Sequence, residues 1–143
     1  MFKRLNVNAV IPTAKTTHSA GFDVVPDTDI VSIVPPHTTV VIPTGIALDV
    51  DQEDMEGYYF GLYLRSSVGK SGLIMPNSVG IIDIDYKDEI GIIAHNITNL
   101  PIPLVKGKAI AQLILHKHHD VMFKDSFKRL QTTRTGGMGS TNG

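Results

Sequence analysis

The sequence contains no cysteine, no excess of basic residues and no uninterrupted apolar run long enough to cross a bilayer. The first absence excludes disulfides and thiolate metal sites and fits a reducing compartment. The second, 13 Lys and Arg against 14 Asp and Glu with a pI near 6.6, removes the electrostatic footprint of a duplex-binding protein. The N-terminus MFKRLNVNAV also has no long apolar core after its charges. These readings lead us to expect a cytoplasmic protein with no membrane contact and no direct nucleic-acid binding, a nuclear or host-cell compartment staying open.

What the chain does contain is β-forming sequence. Its 13 valines and 16 isoleucines fall in short runs broken by Pro, Gly and Asp rather than in long stripes of helical period. With 143 residues, 42% hydrophobic and 19% charged, it is long enough to bury one core without covalent staples. Strands are expected at 3–7, 22–25, 30–34, 38–42, 46–50, 58–64, 80–84, 90–95, 102–105 and 109–117, a spacing that suggests a sandwich or barrel. A short helical turn is expected near 66–70, and Pro101 with Pro103 demotes its segment to an edge or loop. The one composition shift divides a domain at 1–131 from a tail at 132–143.

Five short stretches hold the chemistry. The densest is NSVGIIDIDY (77–86), where an amide, a glycine, two carboxylates and a phenol fall together. If its strand continues, Asp83 and Asp85 share a face, and a carboxylate among Ile81, Ile82 and Ile84 is costly to bury unless paired, hydrogen-bonded or open to a pocket, the plainer alternative being a hairpin with solvated acids. In SAGFDV (19–24), Asp23 stands at a strand start, either capping a turn or facing a metal-bound water. YLRSSVGKSGL (63–73) offers Arg65 as a planar fork with the hydroxyls of Ser66 and Ser67, groups that suit phosphate or, equally, a surface turn with a salt-bridged arginine. VKGKAIAQLIL (105–115) leaves Gln112 as the one polar residue inside an apolar strand. RTGGMGSTNG (134–143) has the glycines of an anion-binding nest, with Arg134, Ser140 and Thr141 as further donors, and also the composition of a disordered tail.

In this order, AGFD, RSS, NSVGIIDIDY, GKAIAQLI and GGMGST resemble the five motifs of the homotrimeric dUTP diphosphatase family, from Ala20 to the C-terminus. The resemblance implies an all-β jelly roll, a homotrimer with active sites shared between chains, and a flexible glycine-rich C-terminal arm. It implies hydrolysis of dUTP to dUMP and diphosphate with Mg2+, which keeps uracil out of DNA and supplies dUMP for thymidylate synthesis. Matched motif by motif, Asp83 would be the catalytic carboxylate, Asn77 and Gly80 would belong to the uracil-reading hairpin, and Tyr86 would pack beneath the deoxyribose. Arg65, Ser66, Ser67 and Gln112 would bind phosphate, and Asp23 would hold magnesium through water. Arg134, Met138, Gly139 and Ser140 would close over the substrate.

Some positions depart from the family pattern. Arg134 lies one residue nearer the Gly-Gly pair than usual, and Met138 stands where an aromatic ring would stack on uracil, so weaker arm closure is expected. Asp88 replaces a common glycine and Leu64 a common proline. Two other readings stand beside this one: a nucleotide-sensing regulator that binds a partner protein, and a dCTP deaminase, whose family places a glutamate where this chain has Ile93. A metal site at His116, His118 and His119 is weighed against a solvated strand end, for want of a fourth ligand.

Overall fold

The computed structural model of the protein describes residues 1–119 and 121. Its backbone is organised by β7 (Tyr58–Leu64), a seven-residue strand paired along its whole length with β12 (Ala111–Lys117). The run in β7, YYFGLYL, is rich in aromatic residues and that in β12, AQLILHK, in branched apolar ones, which suits extended chain at the centre of a sheet. On the far side of β12 lie β3 (Gly21–Val24) and then β2 (Thr13–Ala14), and β7 is flanked by β9 (Gly80–Asp83). The result is a five-stranded antiparallel sheet in the order β2-β3-β12-β7-β9.

A second antiparallel sheet joins β5 (Thr39–Ile42), β10 (Ile92–Asn96) and β8 (Leu73–Ile74). Two ribbons complete the fold: β1 (Phe2–Arg4) with β6 (Ile46–Leu48), and β4 (Ile33–Val34) with β11 (Ile102–Pro103). Val24, Phe60, Leu62 and Leu113 from the large sheet share one core with Ile42, Ile92, Ala94 and Leu73 from the smaller one. Sequence period places them there, because alternate residues of a strand face the same side. Phe2 extends this core by packing against Phe22 and Phe60, with ring centroids 6.1 and 5.4 Å away.

All ten expected strands are present, several of them shorter. The strand expected at 30–34 is only Ile33–Val34, because the amides of Ile30 and Val31 turn back to the Asp27 carbonyl. The one at 3–7 is displaced to Phe2–Arg4, since Asn6 folds its side chain onto the amides of Asn8 and Ala9. The helical turn is α1 (Ser66–Gly69). Strands β2 and β8 were not expected, being two residues each with no period to read. No helix among the described residues is long and apolar enough to cross a membrane.

Candidate functional site

The sheet register places the sequence-derived residues with little freedom. Directly paired residues share a face, so the rows Asp23, Gln112, Tyr63 and His116, Tyr59, Asp83 all lie on the side of the large sheet opposite Phe60 and Leu62. At one end of this face, Gln112 sits between Asp23 and Tyr63, and the Arg65 guanidinium lies 3.4 Å from the Asp23 carboxylate. Arg65 is held at the close of β7 by its amide, which donates to the Ile110 carbonyl at 2.9 Å. Ser66 and Ser67 follow it on the exposed side of α1. Gln112 turns its carboxamide over Gly21, where a Cβ would come within 2.6 Å of Oε1, so the missing side chain is what admits the amide.

Asp83 lies at the other end. It faces Tyr59, six residues before Arg65, which puts the two about 20 Å apart along the strand. Among the described residues its exposed carboxylate takes no hydrogen bond and no ion pair, and it borders a cavity of about 370 Å³ lined also by Tyr59, Ile81, Asp85, Glu56 and His118. The strand ends there, so Asp85 belongs to a turn instead of continuing the Asp83 face. Asn77 stands in the connection from β8 to β9, closed by the Val79 amide on the Asn77 carbonyl at 2.7 Å, and Gly80 opens β9 opposite Leu62. Ser78, between them, has φ of 63°, a left-handed conformation that its sequence did not announce. Tyr86 follows Asp83 in a turn whose amide donates to the Asp83 carbonyl at 3.0 Å, and its ring is 39% exposed.

The structure thus brings Asp23, Arg65, Ser66, Ser67 and Gln112 into one cluster and sets Asp83 with Tyr86 as a second at the far end, while Asn77 lies beside Gly80, opposite Leu62 and between the two, and it does not bring the clusters together within one chain. Arg134, Met138, Gly139 and Ser140, with the whole tail at 132–143, lie outside the described residues. Between the clusters His116 stacks on Tyr59 at 5.1 Å and shares a 2.9 Å hydrogen bond with Tyr63, so it is a packed aromatic partner and not a solvated strand end. No group of three metal-binding side chains occurs among the described residues. Sequence reasoning missed Glu89, whose carboxylate accepts from the amides of Thr44 at 3.0 Å and Gly45 at 2.6 Å. In the sequence it is only the second of two adjacent acids, Asp88 and Glu89, before the apolar run that opens at Ile90.

Comparison with known proteins fits this arrangement. The model of the dUTPase family matches residues 7–142. A deoxyuridine 5'-triphosphate nucleotidohydrolase from Rickettsia peacockii is 32% identical over 141 residues, covering 96% of this chain and 91% of the relative. One from Rickettsia akari is 33% identical over 140 residues, covering 95% and 90%. Among solved structures, the Staphylococcus bacteriophage 80alpha dUTPase with dUPNHPP superposes with a TM-score of 0.81 at 22% identity, over 99% of this chain and 97% of that one. The dUTPase from phage phi11 of S. aureus gives 0.75 at 21% identity, over 90% and 96%. The shared architecture is a jelly roll.

Proposed function

The chain belongs to the dUTPase family and hydrolyses dUTP to dUMP and diphosphate, and on that premise we propose how its residues divide the work. Asp83 orients and deprotonates the water that attacks the α-phosphorus. The observation that carries this is the position of its carboxylate, exposed at a strand end beside a cavity and without a hydrogen bond or ion pair among the described residues, so that its lone pairs are open to a water. The main chain of the hairpin holding Asn77 and Gly80 pairs with the uracil edge, and donor and acceptor mismatch rejects cytosine. Tyr86 packs beneath the deoxyribose, where its bulk leaves no room for a 2'-hydroxyl. Arg65, Ser66, Ser67 and Gln112 hold the phosphates, with the Arg65 fork suited to paired oxygens. Arg134, Met138, Gly139 and Ser140 complete the enclosure from the tail.

Asp23 suits a magnesium ion of modest protein ligation. It is a single part-exposed carboxylate, already beside the phosphate-binding Arg65, with no companion acids clustered around it among the described residues. A hard cation that keeps its waters and takes phosphate oxygens asks for no more than that, so Asp23 would hold Mg2+ through water. The ion, when bound, neutralises charge on the phosphate oxygens.

Phosphates at Arg65 are too far from Asp83 of the same chain for its water to reach them. We therefore place Asp83 of one protomer against Asp23, Arg65 and Gln112 of another in a homotrimer, with a cytoplasmic location and no nucleic-acid partner. The deaminase reading finds no carboxylate at Ile93, which pairs with Val41 in β10. Diphosphate release from dUTP, dTTP, dCTP and UTP, with magnesium, tests the assignment. Release selective for dUTP is expected, falling about 10² to 10⁴-fold in Asp83→Asn. Equal turnover by the variant would overturn the role of Asp83, and dUTP binding without turnover in either protein would return the nucleotide-sensing regulator.

A further inference from the structure

The turn that carries Tyr86 is not a free loop. After β9 ends at Asp83, the chain runs to β10 with only the Tyr86 amide bonded locally, to the Asp83 carbonyl. The phenol of Tyr86 donates to the main-chain carbonyl of Glu89 at 3.1 Å. Glu89 in turn sends its half-buried carboxylate across to the Thr44–Gly45 corner, accepting two main-chain N–H groups on the same oxygen. That corner is firm: Gly45 holds a left-handed φ of 68°, the Thr44 hydroxyl donates to the Ile90 carbonyl, and the Ile90 amide donates to Ile46 at 2.9 Å. A charged acceptor holding two amides is among the stronger polar contacts available to a loop.

We propose that Glu89 is a positioning residue that fixes the height of the Tyr86 ring, through the 86–89 turn, and so sets discrimination between deoxyribose and ribose nucleotides. The chain of contacts runs from the Thr44–Gly45 corner to the Glu89 carboxylate, then from the Glu89 carbonyl to the Tyr86 hydroxyl. This inference rests on the assignment of Tyr86 to the sugar. A steric test for a 2'-hydroxyl works only if the ring cannot retreat, since a shift of about 1 Å removes a clash between hard atoms. Loosening Glu89 therefore admits UTP more than it harms dUTP.

The experiment measures kcat and KM for dUTP and UTP, with thermal midpoints, in wild type, Glu89→Ala, Glu89→Gln, Tyr86→Phe and Tyr86→Ala. Expected is a dUTP-over-UTP ratio of kcat/KM lowered about tenfold in Glu89→Ala, chiefly through a lower KM for UTP, with partial rescue in Glu89→Gln because the amide oxygen still accepts. Tyr86→Phe, which keeps the ring and loses the tether, should lower the ratio in the same direction. A purely structural role would lower the thermal midpoint and the active fraction while leaving the ratio unchanged, and that outcome overturns the proposal. If Tyr86→Ala itself leaves the ratio unchanged, the assignment of Tyr86 to the sugar fails first. If Tyr86→Ala collapses the ratio and Glu89→Ala does not, only the positioning role of Glu89 is lost.

Discussion

At the scale of single residues, Gly21 and Gln112 form a pair in which the absence of one side chain places the other. Gln112 Oε1 occupies the space a Cβ at residue 21 would need, 2.6 Å away, and the Gln112 Cβ is also close at 3.2 Å. The flexible amide would yield before the backbone of β3, which is held between β2 and β12. Gly21→Ala should therefore swing the carboxamide off its position and lower kcat/KM for dUTP about tenfold, with little loss of fold. In a Gln112→Ala background the same change should cost much less, because no amide is left to displace and only the close Cβ of residue 112 remains. Additive losses in the double variant would show that Gly21 matters for some other reason. The two residues were legible to different degrees. Gln112 stood out as a polar residue in an apolar strand, whereas the space above Gly21 depends on the register of β3 against β12, which no local pattern records. Glu89 was hidden for the same reason: its partners lie 44 and 45 residues away.

At the scale of elements, the connection from β8 to β9 depends on Ser78. Its φ of 63° carries a steric cost for any residue with a Cβ, and its exposed side chain makes no compensating hydrogen bond among the described residues. Ser78→Gly should stabilise the protein by up to about 1 kcal/mol, and Ser78→Val should destabilise it by about 1–2 kcal/mol, both read as thermal midpoints at fixed protein concentration. The reverse order would mean that the turn rearranges on substitution. Nothing in the sequence foretold this conformation, because glycine and asparagine are the usual residues there, and Asn77 just before Ser78 and Gly80 two places after it do not take the position. The long strands were legible. Tyr58–Leu64 appears with the boundaries expected, set off by Gly57 and the Arg65-Ser66 turn, and Gly80–Asp83 ends one residue early. Ile84 and Asp85 therefore turn away, and Asp83 is the last residue of the strand. The two-residue strands β2 and β8 exist only through their neighbours and could not be read before those neighbours were placed.

At the scale of the whole molecule, the two clusters share a sheet face but not a neighbourhood. Tyr59 and Tyr63, with His116 packed between them, keep Asp83 and the Asp23–Gln112 row apart. The core that supports this face, Phe60 and Leu62 with Leu113, is fully buried, so the sheet cannot fold to bring its ends together without losing that packing. On the proposed division of roles the two ends meet through symmetry: a rotation that set the Asp83 end of one protomer on the Arg65 end of the next would give three equal sites from three chains. This makes a prediction about mixtures. A protomer with Asp83→Asn and a protomer with Arg65→Ala should each be inactive in a pure trimer. Unfolded together and refolded at equal amounts, they should recover about one quarter of wild-type activity, since a working site needs an intact Asp83 from one chain and an intact Arg65 from its neighbour. If each site were contained in a single chain, no protomer of the mixture would hold both residues and activity would stay at the level of the parents. Recovery should also require reassembly, so simple mixing of folded trimers should give a slow rise whose rate follows subunit exchange.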